Sequence, residues 1–200
     1  EALLNRFRDE MIPILVGTQM VTTGLNFDNV TLVGVISADQ SLYSGDYKAG
    51  ERTFSLITQV VGRSGRGSRP GRAVIQTFTP ENQTIRQAAK QDYDSFYRSE
   101  IYLRSLQGLP PFSELYAVTA SGVDEGAVLR CCTFVRDSLS RSLGGGEGVR
   151  VLGPAPLQVV RVNNRFRYRV TVGADGAGAV RSVISQLLNY CNTAKENRGV

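Results

Sequence analysis

Two hundred residues, 42% hydrophobic and 20% charged, supply enough chain for one or two globular units with buried cores. The chain has no histidine, which excludes His-based acid–base catalysis, Ser/His/Asp triads and His-ligated metal sites together; its three cysteines lack C-x-x-C spacing, so neither a metal site nor a disulfide framework is expected. The net charge of +5 is uneven: residues 1–108 carry 12 basic and 11 acidic groups, residues 109–200 carry 11 and 7, so the C-terminal half leans toward an anionic partner, nucleic acid first, with plain solubility as the alternative.

The first half alternates strand and helix signals. The runs PILVGT (13–18) and VTLVGVIS (30–37) are continuously apolar, as strands buried on both faces are. ERTFSLITQVV (51–61) reads as a helix, GRAVIQTF (71–78) as a strand, and residues 80–106 as one long helix or two short ones. Such alternation predicts a mostly parallel α/β sheet. GLPPF (108–112) then stops every pattern, because Gly108, Pro110 and Pro111 cannot continue a helix. The expected domains are therefore 1–108 and 109–200.

The second half reads ELYAVTAS as a strand and 124–143 as an amphipathic helix burying Val128, Cys131, Cys132, Val135, Leu139 and Leu143. On that face Cys131 and Cys132 act as small apolar side chains. GGGEG (144–148) is a loop. LQVVRV (157–162) and RFRYRVTV (165–172) are strands joined by a tight turn at Asn163-Asn164, and a last helix buries Val180, Val183, Ile184, Leu187, Leu188 and Cys191. The tail KENRGV reads as frayed. The sum is β-α-(β)-β-β-α, a small open α/β sandwich. No apolar run approaches the ~20 residues of a transmembrane helix and the first residues are charged, so the expected compartment is the cytoplasm, with no membrane partner.

Two segments carry chemistry. In QVVGRSGRG (59–67), helical spacing from Gln59 puts Gly62, Arg63 and Arg66 on one face, with glycines clearing space beside two guanidiniums. Arginine forks suit phosphate; a solvated basic helix end is the equal alternative. In GTQMVTTGLNF (17–27), a strand ends at Gly17-Thr18 and a turn opens with Gln19 and Met20, so backbone amides with the Thr18, Thr22 and Thr23 hydroxyls suit a phosphate, or simply cap a helix. In RFRYRVTV, Arg165, Arg167 and Arg169 share one strand face and Phe166, Tyr168 and Val170 the other; Arg161 on the neighbouring strand is expected to join the basic face. A solvated face over a buried one explains the alternation, though not the absence of interleaved acids.

ILVGTQMVTTGLNFDNVTLVGV, ADQSLYSGDYKAGERTFSLITQVVGRSGRG and QTFTPEN, followed by GLPPF and LGPAPLQVVRVNNRFRYRVTV, resemble the PriA (primosomal protein N′) family of superfamily-two replication-restart DNA helicases, over essentially the whole chain. The resemblance implies a partial RecA-like helicase lobe followed by a small α/β C-terminal domain. It implies that GTQMVTTGLNF is the fifth helicase motif, coupling ATP to the bound strand through Gly17, Thr18, Gln19 and Thr22. QVVGRSGR would be the sixth, with Arg63 and Arg66 on the ATP phosphates, one as arginine finger, and with Gln59, Gly62 and Asn26 ordering the nucleotide. Thr23 stands where the family usually has Lys, and Asn26 where Asp is common. The C-terminal domain would engage forked DNA and the single-stranded DNA-binding protein through Arg161, Arg165, Arg167 and Arg169. The parent would unwind DNA 3′ to 5′ at stalled forks with ATP and Mg²⁺, and help assemble primosome proteins and reload the replicative helicase.

No G-x-x-x-x-G-K-[ST] loop and no family zinc cysteines stand in these residues, so the chain reads as a C-terminal fragment, inactive alone, and Zn²⁺ is expected of the parent only. The rival expectation is a non-enzymatic nucleic-acid- or protein-binding module with a degenerate helicase half-lobe.

Overall fold

The computed structural model describes residues 2–10, 12–18, 30–62, 71–144, 148–176, 178–194, 197 and 199–200. It divides into two units, Glu1–Glu100 and Ile101–Val200.

In the first unit a short helix, α1 (Ala2–Asp9), precedes two parallel strands, β1 (Leu32–Val35) and β2 (Arg72–Ile75). Leu32 stands opposite Arg72 and Val35 opposite Ile75. Parallel strands cannot be joined by a tight turn, and the crossover between them contains α2 (Asp39–Leu42) and α3 (Ala49–Val61). The fold class is therefore α/β with a small parallel sheet here, as the alternation predicts. The core forms where α3 turns Phe54 and Ile57 toward Ile85, Ala88 and Phe96, with Val35 and Ile75 packed from the strands. Phe54 stacks on Phe96 with ring centroids 4.2 Å apart and planes 13° apart.

The structure corrects three expectations in this unit. Residues 14–18 form no strand, and Ile14 and Val16 are 74% and 84% exposed. An apolar run becomes a strand only where a neighbour takes up its backbone hydrogen bonds, and among the described residues none pairs with it. The strands expected over 30–37 and 71–78 shorten to four residues each, and α2 is unforeseen. Of the two readings open for 80–106, the structure takes the two-helix one, α4 (Gln83–Ala89) and α5 (Tyr93–Gln107). The Asn82 side chain caps α4 by accepting from the Thr84 and Ile85 amides at 3.0 and 3.3 Å. Gln91 then takes a left-handed φ of 56°, and Asp92 restarts the chain as a helix by accepting from the Ser95 amide at 3.1 Å.

Asp39 ties the ends of the two strands together. Its buried carboxylate accepts from the Thr77 and Thr79 hydroxyls, both at 2.7 Å, and from the Phe78 amide at 2.9 Å. The segment after β1 is thus fastened to the segment after β2.

The second unit is a three-stranded antiparallel sheet under two helices: β3 (Glu114–Gly122), α6 (Glu125–Leu143), β4 (Val149–Val162), β5 (Arg165–Ala174) and α7 (Gly178–Thr193), with sheet order β3-β5-β4. The anticipated face of α6 is the buried one, all six residues of it. It packs on Val170, Val172 and Ala174 of β5. The Asp124 side chain caps α6 through the Ala127 amide. The Asn163-Asn164 turn has φ of 48° and 63°, the doubly left-handed geometry that a two-residue hairpin requires. β4 is longer than the expected 157–162 strand because it begins at Val149 and continues past two register shifts, at Leu152/Ala155 and Pro156/Arg161. Gly153 permits the first, with φ at 115° and room for no Cβ, which would lie 2.7 Å from the Arg169 carbonyl.

On α7, Val180 and Ile184 are buried and Val183, Leu187 and Cys191 pack partly against the core, whereas Leu188 is 40% exposed. One residue beyond Leu187 turns about 100° away from the sheet, so only one of the adjacent leucines can be core. Part of the expected loop 144–148 lies outside the described residues, as do three residues of the tail. The tail's described end is not frayed: Gly199 and Val200 sit against Gly122, where a Cβ would lie 2.8 Å from the Gly199 carbonyl. Among the described residues no helix is long and apolar enough to cross a membrane.

The Thr79 and Thr77 hydroxyl bonds hold the Asp39 carboxyl at about 2, below its ordinary 3.8. A depressed carboxyl stabilises the folded state at all pH values above 3.8 and loses that contribution as pH falls toward 2. Asp39→Asn places an amide donor against donors. We expect it to lower the melting temperature at pH 7, with the gap from wild type closing between about pH 4 and 2. Melting curves across that window check this; a gap independent of pH would reject the clasp.

Candidate nucleic-acid interface

The first candidate segment ends α3. Gln59 lies exposed in its last turns, and the Gly62 amide donates to the Thr58 carbonyl at 2.9 Å, so helical geometry continues from Gln59 through Gly62. Gly62 caps the helix with φ of −67°, and a Cβ there would lie 3.2 Å from both the Gln91 side-chain amide and the Thr58 carbonyl. Arg63 and Arg66 lie outside the described residues, as do Gln19, Thr22, Thr23 and Asn26. Gly17 and Thr18 are exposed and without regular secondary structure.

The second candidate is the sheet of the second unit. Its two faces differ because β5 alternates side chains with a period of two. Val170, Val172 and Ala174 face the helices. Arg165, Arg167 and Arg169 occupy the opposite, open face. Register then decides which neighbours join them. Arg167 stands opposite Ser121, Arg169 opposite Thr119 and Ala155, and Arg150 opposite Gly173. Directly opposed residues share a face. The open face therefore carries four arginines, and its register partners on β3 and β4 include no carboxylate. Arg150 is the member that sequence reasoning misses; only the pairing of Val149 with Ala174 reveals it.

Arg161 does not join this face. It stands directly opposite Phe166, which points the other way from Arg165 and Arg167. Its guanidinium lies over the Phe166 ring, 4.9 Å from the centroid, and donates to the Asn164 side-chain oxygen. The two-residue turn fixes this register, and a period of two leaves no way for residues 161 and 165 to face alike.

The four arginines of the open face are differently engaged. Arg150 spans two carbonyls at the end of α5, donating to Gln107 at 2.9 Å and to Gly108 at 2.7 Å. These are carbonyls that a helix terminus leaves without intrahelical partners, and the guanidinium also complements the negative end of the helix dipole. Arg165 donates to the Ser121 hydroxyl at 3.2 Å, to the Ser121 carbonyl, and to the Gly199 carbonyl at 3.3 Å. Among the described residues Arg167 and Arg169 make no hydrogen bond or ion pair. The middle of the row is thus unspent positive charge, flanked by exposed Leu152 and Val162. On the helix side, Tyr168 donates to Glu125 at 2.6 Å, and that bond raises the phenol's pKa.

Two family models match the chain. The family described as "Primosomal protein N C-terminal domain" matches residues 105–200, and "Helicase conserved C-terminal domain" matches residues 1–68. The replication restart protein PriA of Bacillus subtilis is 34% identical over 200 residues, which is 100% of this chain and 25% of that protein. The PriA of Chlamydia trachomatis is 48% identical over 172 residues, 86% of this chain and 23% of that protein. The PriA of Synechocystis is 37% identical over 171 residues, 86% of this chain and 20% of that protein. The chain thus spans a quarter or less of the length of these relatives.

Arg150→Gln removes both bonds to the end of α5. We expect unfolding free energy to fall by about 1 kcal/mol, since a charge-assisted but solvent-reached pair of bonds is worth no more. Urea denaturation of the chain measures it; a change near zero would show that water replaces the guanidinium at no cost.

Proposed function

From the PriA family of replication restart proteins, to which this chain belongs, we propose that it is the C-terminal part of an ATP-dependent 3′→5′ DNA helicase that recognises stalled or branched forks and starts primosome assembly. The helicase C-terminal domain in residues 1–68 and the primosomal C-terminal domain in residues 105–200 support this reading. The observation that carries the DNA-binding half is the open sheet face, on which Arg167 and Arg169 project from a rigid central strand without protein partners among the described residues. Alternate residues of a strand lie about 7 Å apart, close to the spacing of successive phosphates along one nucleic-acid strand. Each guanidinium would meet a phosphate oxygen in a charge-assisted bond. Arg165 would add a third such bond at the end of the row. DNA in forked form, the single-stranded DNA-binding protein, primosome proteins and the replicative helicase are the proposed partners, and the cytoplasm, at the nucleoid, the proposed place of action.

The motor half of the proposal rests on α3. A helix running through Gln59 to Gly62 would deliver Arg63 and Arg66 to the ATP γ-phosphate, with Asn26, Gly62 and Gln59 ordering the nucleotide and Gly17, Thr18, Gln19 and Thr22 meeting the DNA backbone. Guanidiniums there offset charge that builds on the transferring phosphoryl oxygens. Mg²⁺, bound together with ATP, and Zn²⁺ are the proposed cofactors of the intact protein. The chain alone would not hydrolyse ATP.

Two outcomes test this reading. In the full-length protein, Arg66→Ala lowers DNA-stimulated ATP hydrolysis by about 10³-fold or more while fork binding persists; near-normal hydrolysis would remove the arginine from the motor. In the 200-residue chain, Arg167→Gln with Arg169→Gln reduces the slope of log K against log salt by roughly 0.7–0.9 for each phosphate no longer neutralised, equally for all DNA sequences. Arg161→Gln, on the far side of the sheet, leaves that slope unchanged. If the Arg161 variant weakens binding as much, the open face is not the interface.

A further inference from the structure

Cys131 and Cys132 are neighbours on α6, but consecutive helical residues point about 100° apart and the two have different surroundings. Cys132, 2% exposed, packs into the core with Val135 and Val170. Cys131, 7% exposed, lies beside Cys191 of α7, with which it lines one cavity, and that neighbouring side chain partly offsets the rise that burial gives its thiol pKa. Cys191 is only partly buried. A cavity of about 100 Å³ opens beside this pair, lined by all three cysteines together with Leu188 and Asn197. That volume admits a water-sized polar molecule with room to spare.

We propose that Cys131 and Cys191 are an oxidisable dithiol that closes to a disulfide across α6 and α7 on exposure to a hydroperoxide. The partly exposed Cys191 reacts first. Its thiolate sulfur attacks one peroxide oxygen, the O–O bond breaks, and the departing hydroxide takes up a proton as water, leaving a sulfenic acid at Cys191. The Cys131 sulfur then displaces the sulfenic hydroxyl, which leaves as a second water once protonated. Two thiols have given up two hydrogens and one hydrogen peroxide has become two waters. Burial holds the Cys131 thiol above its ordinary pKa, so it resolves rather than initiates. Cys132 takes no part, because it faces the sheet.

The position gives the bond a consequence. The Cys191 carbonyl accepts from the Asn197 side chain at 3.2 Å, and two residues later the Gly199 carbonyl accepts from Arg165. A bridge at Cys191 therefore fastens the last turn of α7, and with it the tail that holds one end of the arginine row.

The 200-residue chain, reduced and then treated with hydrogen peroxide, is blocked with an alkylating agent and digested with trypsin. Residues 131–136 and 182–195 lie between basic residues, so each reactive cysteine reports in its own peptide, and Cys132→Ala removes the ambiguity of the first. The expected result is a 131–191 cross-link in wild type and in Cys132→Ala, absent in Cys191→Ser. The melting temperature of the oxidised chain should rise by roughly 5–15 °C, as closure of a loop of this length implies. Oxidation of Cys191 to a sulfinic or sulfonic acid with Cys131 still reduced, or a bridge made through Cys132, overturns the proposal.

Discussion

The second unit depends on the register that the Asn163-Asn164 turn imposes on β5. Among the described residues, this is the strand paired along both edges. Its period of two sends Val170, Val172 and Ala174 into a fully buried core and sends Arg165, Arg167 and Arg169 the other way. A slip of one residue would exchange the sets, placing guanidiniums against Val135 and Leu139. Burying three unpaired guanidiniums, at several kcal/mol each, would exceed the domain's margin of stability. The two left-handed asparagines therefore place the basic row as well as the core: the same constraint that closes one aligns the other.

The first unit has a different pin. Two parallel four-residue strands make a weak sheet, and nothing in their pairing holds the segments that leave them. Asp39 supplies that hold through three bonds, two from hydroxyls two residues apart on the strand-exit segment Thr77–Thr79. The Ala38 and Gln76 backbones pair across the same junction, Ala38 donating to Gln76 at 3.0 Å and Gln76 to Val35 at 2.9 Å. The carboxylate is thus the polar counterpart of the Phe54–Phe96 stack, one fixing the strand ends and the other the helices.

How much of this is legible in the sequence follows from how local each signal is. The buried face of α6 can be read residue by residue, because a 3.6-residue period over nineteen positions leaves little choice. The turn is equally plain, since few dipeptides accept two positive φ values. Ile14 and Val16 mislead because apolar composition says nothing about whether a partner strand lies alongside. Leu188 misleads because two adjacent leucines cannot both face one sheet, and composition does not say which does. The expectation for Arg161 puts it on the wrong face, an error that counting through the turn corrects. Arg150 cannot be found from the sequence at all, since it joins the row only through a strand that begins eight residues earlier than the hydrophobic pattern of 157–162 indicates. The helicase segments are legible as motifs and not as geometry: the described residues reach Thr18 and Gly62 and stop there.

The arginines of the open face show why a count of positive charge is a poor guide to binding. All four are alike in sequence terms, yet Arg150 at one end is consumed in completing a helix terminus and Arg165 at the other in holding Ser121 and the tail. Their bonds to carbonyls hold the side chains in place and leave part of each guanidinium's donor set occupied. The two central arginines retain all their donors among the described residues, and they sit on the strand least able to move because it is bonded on both edges. A charged ligand that tracks this face meets rigid, unspent donors in the centre and partly satisfied ones at the margins. On the proposed reading, affinity for such a ligand would concentrate on Arg167 and Arg169, while Arg150 and Arg165 keep the surface beneath them in shape.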